Sequence, residues 1–237
     1  MDLETQIADL EIDVIDLKRM NYKEALKLQE KLREERKKDK ILNTVLFVEH
    51  DHVYTIGTDF VDQNSVIRDN LPSSDQLVEV NRGGKITYHG PGQLVGYFIF
   101  KVPLDKVGNF QNYIEDLTID TLRSFDIRAF SRKGEQDKYG KNIRGAWCRV
   151  NGVNRKVAAQ GLEFKAAGKN ERKESLVVTM HGFAFNVNTD LDYFKPIKPC
   201  GFEYDVMTSM REILGKDIDI EAVKQIIKGK LINWRNY

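Results

Sequence analysis

The apolar positions of this chain switch repeatedly between a helical and an extended period. Tyr22, Ala25, Leu26, Leu28 and Leu32 recur at helical spacing, which predicts a helix with one apolar stripe. Asn21 precedes it and Glu24 follows three residues on, a capping-box pattern. The basic run from Arg33 to Lys40 is expected to be the solvated end of that helix, where cations suit the terminus. Thr44 to Val48 and Val53 to Ile56 read as short strands, the second stopped by Gly57. Leu77 to Val80 is a further strand. Gln93 to Val102 is almost continuously apolar, which predicts a long strand covered on both faces. Phe110, Tyr113, Ile114, Leu117, Thr121, Leu122 and Phe125 mark one face of a long helix. Gly145 to Val150 and Val153 to Phe164 form two strands joined across Asn151-Gly152, a strong hairpin signal. Leu176 to Val187 is another strand, and helices around Val206 to Leu214 and Ile220 to Trp234 close the chain. The stretches Asp59 to Asp75, Ser131 to Asn142, Ala166 to Glu174 and Asp190 to Gly201 are expected to be irregular. Helices mixed with hairpins predict one α/β (α+β) domain over residues 1–237, a mixed β-sheet with flanking helices.

Composition narrows the class without naming it. With 37 Lys+Arg against 36 Asp+Glu, the chain has no bulk field to attract nucleic acid or a membrane surface. The longest mainly apolar stretch, Leu94 to Phe100, is too short to cross a bilayer. Met1 to Asp16 is acidic and resembles neither a secretory signal nor a transit peptide. Two cysteines, Cys148 and Cys200, cannot make a disulfide framework, so both are expected reduced and the cytoplasm is the expected location.

The candidate chemistry concentrates in three places. Residues 82–93 hold four glycines and one proline of a chain with only 17 glycines and 5 prolines. Such a segment is a tight turn or a ligand-binding loop, because glycine lets backbone approach a ligand that neighbouring polar side chains then orient. Cys200 sits in Lys198-Pro199-Cys200-Gly201, on a bend rather than inside a packed element. It is either a buried hydrophobe or a nucleophile exposed near positive donors. Cys148, beside Trp147 in a strand, is expected to be core. Lys156 opens a strand whose next residues are small, and a partly enclosed lysine can act as a base. His181 to Asn188 alternates aromatic residues with small or polar ones, which fits a half-buried strand or the wall of an apolar slot. His50 and His52 are expected on one face of a strand, but no His/Cys set has metal-ligand spacing, so no metal is expected.

Read together, these segments resemble a known family. Arg82-Gly83-Gly84, Thr87-Tyr88-His89-Gly90-Pro91-Gly92-Gln93 and Tyr97 are similar to the signature of the octanoyltransferases of lipoate biosynthesis. Glu49-His50, Val53 to Gly57, Gly145-Ala146-Trp147, Lys156 to Gly161, His181 to Val187 and Pro199-Cys200-Gly201 resemble the family's other motifs, in the same order. The resemblance implies the fold of the biotin/lipoate protein ligase catalytic domain and an acyltransferase without a cofactor. Cys200 would take an octanoyl group from octanoyl-acyl carrier protein as a thioester. A lysine of a lipoyl domain, on a dehydrogenase E2 subunit or glycine cleavage H protein, would then accept it. Lys156 would partner the cysteine. The acyl-binding segments carry over onto Arg82, Gly83, Gly84, Lys85, Ile86, Thr87, Tyr88 and His89, onto Ala159, Gln160 and Gly161, and onto Gly182, Phe183 and Ala184. Gln160 stands where the family more usually has an aliphatic residue, and Asp51-His52 where it has prolines. An ATP-dependent lipoate or biotin protein ligase on the same fold, and a non-catalytic carrier-protein binding module, are the competing readings.

Overall fold

The computed structural model describes residues 12–59, 77–137 and 139–231, and it places two β-sheets against four α-helices. The larger sheet is built from β1 (Ile12–Arg19), β2 (Asn43–Glu49), β6 (Gln93–Ile99), β11 (Ser175–Asn186), β10 (Val153–Lys169), β9 (Ala146–Val150) and β8 (Ala129–Ser131), in that order across the sheet. β7 (Lys101–Pro103) pairs with β11 beyond the end of β6. β1 and β2 run parallel, joined by helix α1 (Tyr22–Lys37), and the remaining neighbours are antiparallel. A second sheet of three strands sets β3 (Val53–Ile56) between β4 (Leu77–Glu79) and β5 (Ile86–His89). The mixed sheet with flanking helices is as the pattern predicts.

Both faces of the larger sheet are covered. Helix α2 (Val107–Arg123) buries Phe110, Tyr113, Ile114 and Leu117 against Phe98, Phe183, Phe185 and Val157, and helix α4 (Ile220–Lys230) adds Val223 and Ile227 to that cluster. On the opposite face α1 packs Ala25 and Leu32 on Leu46, Val95, Tyr97 and Ala184. This double covering explains why β6 is buried at every position and apolar after Gln93. Among the described residues no helix is long and apolar enough to cross a membrane.

Several local expectations need correction. β1 is missing from the pattern-based reading, because its burial alternates weakly and its residues IDVIDLKR include charges at every turn of the pleat. The expected strand Gln93–Val102 breaks at Phe100, where the Thr179 side chain intrudes: its hydroxyl donates to the Phe98 carbonyl and accepts from the Phe100 N–H. The strand expected to end at Phe164 continues to Lys169, so the expected loop shrinks to a turn around Asn170–Lys173. Arg33 is no part of a solvated helix end: it is buried and paired with Glu163 at 2.9 Å. Asn21 caps α1 by accepting from the Lys23 N–H rather than by pairing with Glu24. His50 and His52 lie in the connection after β2, not on a strand. The helix expected from Val206 begins at Met210, as α3 (Met210–Leu214). The expected loop Asp59–Asp75 falls almost wholly outside the described residues, as does Trp234. Asn151 and Gly152 both adopt the left-handed backbone, φ 49° and 81°, that a two-residue hairpin turn requires.

Candidate active site

Cys200 meets Lys156 of β10, an interior strand of the larger sheet, with Lys156 Nζ 3.4 Å from Cys200 Sγ. The turn Pro199–Gly201 delivers the thiol. Its backbone is left-handed at Cys200, φ 55°, a conformation that costs a non-glycine residue about 1–2 kcal/mol. Gly201 continues left-handed at φ 81°, and a Cβ there would lie 2.6 Å from Lys85 Nζ. The thiol is partly exposed, whereas Cys148 is buried in the core and burial pushes its thiol up to about 11.

Lys156 is only 3% exposed. It sits at a register shift in β10, and its carbonyl accepts from the Thr208 N–H, which ties β10 to the segment before α3. Gly145 has φ 114°, and a Cβ there would fall 2.8 Å from Lys156 Cε and 2.1 Å from the Ala158 carbonyl oxygen. Buried Glu115 of α2 accepts the Gly145 N–H at 3.0 Å and so fixes the backbone against which the lysine stem packs.

Two cavities converge on this pair. The narrower is a slot lined by Val95, Tyr97, Ala159, Gly182, Phe183 and Ala184 together with the more polar Tyr22, Arg82, Thr87, His89 and His181. The wider, about 270 Å³, is lined by Asp59, Gly83, Gln111, Asp137, Lys141, Arg144, Leu162 and Phe202, together with Lys156. Cys200, Gly84, Lys85, Gln160 and Gly161 line both. Glycine at 161 is required by a close crossing: the Gly83 N–H donates to the Leu162 carbonyl at 3.0 Å, and a Cβ at 161 would meet the Gly83 carbonyl oxygen at 2.7 Å. Hence the glycine-rich segment lies directly on β10.

Most of the slot's polar residues are tied into one hydrogen-bond network, while His181 Nδ1 is buried without a partner. Gln93 Nε2 donates to the Tyr88 carbonyl and to Asn186 Oδ1, so its Oε1 accepts from His89 Nδ1 at 2.7 Å. That leaves His89 Nε2 to accept from the Thr55 hydroxyl, whose oxygen also accepts from Arg82 Nη2. Arg82 is buried, donates to the carbonyls of Thr55, Gly83 and Lys85, and pairs with no carboxylate among the described residues. His50 Nδ1 donates to the Met20 carbonyl, so the Tyr97 hydroxyl donates to His50 Nε2 at 2.6 Å. All three imidazoles are neutral. Burial holds His50 down to about 4 and His181 to about 3, and burial with neighbouring His50 and Arg82 holds His89 well below its ordinary range. Burial likewise pushes Tyr22 up to about 12. Lys85 is buried against Asp137 at 2.6 Å and lies 4.0 Å above the Tyr139 ring.

Of the residues carried over by resemblance, Arg82, Gly84, Lys85, Thr87, His89, Ala159, Gln160, Gly161, Gly182, Phe183 and Ala184 gather in the slot, and Gly83 lines the wider cavity. Ile86 and Tyr88 do not. They alternate to the other face of β5, into a cluster with Tyr54, Phe194, Ile197 and Met207. The sequence reading missed Tyr22 and Val95 in the slot, and Asp137, Lys141, Asn142, Ile143 and Arg144 in the wall of the wider cavity, while His181 lies in the segment it read as a possible slot wall. Tyr22 and Val95 carry the same periodicity as core residues. Among the described residues no three His, Cys, Asp or Glu side chains gather into a metal-binding group.

Comparisons with known proteins bear on the family and the fold. The family model described as the lipoyl protein ligase A/B catalytic domain matches residues 21–232. An octanoyltransferase of Porphyromonas gingivalis is 39% identical over 236 residues, 94% of this chain, although the chain spans only 44% of that protein. Octanoyltransferases of Koribacter versatilis, 36% identical, and Alkaliphilus metalliredigens, 33% identical, match 91% and 96% of this chain and are themselves covered to 81% and 97%. Lipoate-protein ligase A bound with ATP shares the fold at a TM-score of 0.65 and 16% identity, over 95% of this chain and 86% of that one. A bi-partite lipoate protein ligase of Thermoplasma acidophilum, solved in a study with its E2 lipoyl domain, shares it at a TM-score of 0.60 and 14% identity, over 95% and 84%.

Proposed function

Because the chain belongs to the lipoyl protein ligase A/B catalytic domain family, we propose that it is an acyltransferase that moves an octanoyl group from octanoyl-acyl carrier protein to a lysine of a lipoyl domain, through a thioester on Cys200. The observation that carries this reading is the contact of Lys156 Nζ with Cys200 Sγ at the junction of the two cavities. The octanoyl chain occupies the slot, where each buried methylene contributes about 0.8 kcal/mol. The carrier arm, and later the acceptor lysine, enter through the wider cavity. In the first step the Cys200 sulfur, with Lys156 as its ammonium partner, attacks the thioester carbon. The carrier sulfur leaves with its bonding pair and takes a proton from Lys156. In the second step the acceptor amine attacks the Cys200 thioester, the now neutral Lys156 takes a proton from that nitrogen, and the sulfur departs as the anion beside a restored ammonium. Residues 1–237 act as one catalytic unit in the cytoplasm, with the lipoyl domains of E2 subunits or glycine cleavage H protein as acceptors.

Ligases share the fold, but an acyl-adenylate mechanism has no use for a thiol held in a strained turn 3.4 Å from a buried lysine. The test is the intact mass of the protein after incubation with octanoyl-acyl carrier protein in the absence of ATP. An octanoyl adduct on the wild type and none on Cys200→Ser supports the transferase. Transfer that appears only with free octanoate and ATP would establish the ligase instead.

A further inference from the structure

Among the described residues a few buried side-chain polar atoms have no hydrogen-bond partner, and one of them, Gln160 Oε1, belongs to a residue at the junction of the two cavities. Gln160 lies between two small residues, Ala159 and Gly161, and four positions along β10 from Lys156. Its Nε2 donates to the Gln111 carbonyl of α2 at 2.9 Å. That bond fixes the amide's orientation, because a flipped amide would set carbonyl against carbonyl. The chain therefore holds an oriented, unpaired acceptor on a residue that lines the same two cavities as Cys200. An enclosed acceptor left unpaired is costly, and a substrate that supplies the donor removes that cost at the moment it binds or reacts.

We propose that Gln160 Oε1 accepts a hydrogen bond from the ε-amino nitrogen of the acceptor lysine as that nitrogen attacks the thioester on Cys200. This inference rests on the transferase reading above. The attacking amine carries two protons. Its lone pair forms the C–N bond, the C–S bond breaks with its electron pair going to sulfur, and one proton passes to Lys156 Nζ. The other proton stays on nitrogen as the amide N–H of the product, and Gln160 holds that one. Lys156 and Gln160, from the same strand, thus divide the two protons between them and aim the nitrogen lone pair at the carbonyl carbon.

The experiment separates the two half-reactions. Wild type and Gln160→Met, a near-isosteric variant without the acceptor, are loaded with octanoyl-acyl carrier protein. The isolated acyl-enzymes are then mixed with a lipoyl domain, and loss of the octanoyl mass is followed. Gln160→Leu provides a second variant, and thermal melting checks that each is folded. The expected result is that discharge to the lipoyl domain slows about tenfold more than loading or hydrolysis by water does, the effect of one lost hydrogen bond. Discharge at the wild-type rate overturns the proposal. So does slowed loading with normal discharge, which assigns the acceptor to an amide N–H of the carrier arm. Equal slowing of hydrolysis and discharge also overturns it, because that pattern belongs to a residue that merely shapes the site. A wild-type protein that takes up no octanoyl group fails the transferase reading itself, a result distinct from all of these.

Discussion

Acidification should unfold this protein through its buried histidines before it reaches the carboxylates. His50, with a value of about 4, and His181, at about 3, are neutral in the native state because burial penalises their charged forms, and His89 is depressed further by Arg82 and His50. In the unfolded chain each titrates near 6.5. As pH falls the unfolded state takes up the proton first, so stability declines from about pH 6.5 until the native groups protonate, near pH 4 for His50 and pH 3 for His181. Between about pH 7.5 and about pH 4.5 this linkage removes on the order of 2–3 kcal/mol for each of His50 and His181. His89 adds to it in the same direction. The sum is comparable with the roughly 5–15 kcal/mol that holds a typical domain together. The ion-paired carboxylates of Asp16, Asp39, Asp59 and Asp137 are lowered from 3.8, so their contribution is present above that value and is lost only below this window. Urea denaturation followed by tryptophan fluorescence at several pH values gives the unfolding free energy and its slope. His50 and His181 together predict a slope of about 2.5 kcal/mol per pH unit near pH 5, to which His89 adds in the same direction, and His50→Gln should lower the slope by about one proton's worth, roughly 1.4 kcal/mol. A slope equivalent to less than one proton across this range would refute the reasoning, because the buried histidines would then have to be charged or solvated in the native state.

Other consequences are local. Gly161→Ala pushes a Cβ to 2.7 Å from the Gly83 carbonyl oxygen, so the glycine segment must lift from β10. The expected cost is about 1–3 kcal/mol with a severe loss of transfer activity, and wild-type activity in this variant would show that the close crossing does not shape the slot. Asp137→Asn leaves Lys85 buried without its 2.6 Å partner and should destabilise by about 3–5 kcal/mol. The double variant Lys85→Met/Asp137→Leu should recover much of that loss in denaturant melts, and simple additivity of the single changes would argue against a coupled pair. Iodoacetamide at neutral pH should add one label to the native protein, at Cys200, because Cys148 is enclosed and its thiol is pushed up to about 11. Peptide mapping that finds Cys148 labelled at a similar rate would contradict the packing described for β9.

The parts of this molecule that could be read from its sequence are those where one residue's local requirement coincides with its role. Asn151-Gly152 announces its turn because few other pairs tolerate two left-handed residues in succession. Gly90, Gly92 and Gly161 announce close approaches because a Cβ at any of them would collide with a neighbour. Cys200 announces a bend through its flanking Pro199 and Gly201, and the bend is what carries the thiol to Lys156. Where the requirement is set by distant chain, the sequence is silent. β1 has an ordinary charged pattern, and its strand exists because it pairs in parallel register with β2. Arg33 reads as surface charge, and only Glu163, on β10, makes its burial tolerable. The helix stripe that correctly placed Tyr22 inside could not say that inside meant the slot rather than the core. Gln160 is the clearest case. A glutamine in a strand of small residues reads as an intrusion, and its meaning emerges only when α2 supplies the Gln111 carbonyl that turns its amide and leaves the other oxygen unpaired at the junction of two cavities. Function in this fold resides in such long-range pairings, and the local signals mark only the backbone that makes them geometrically accessible.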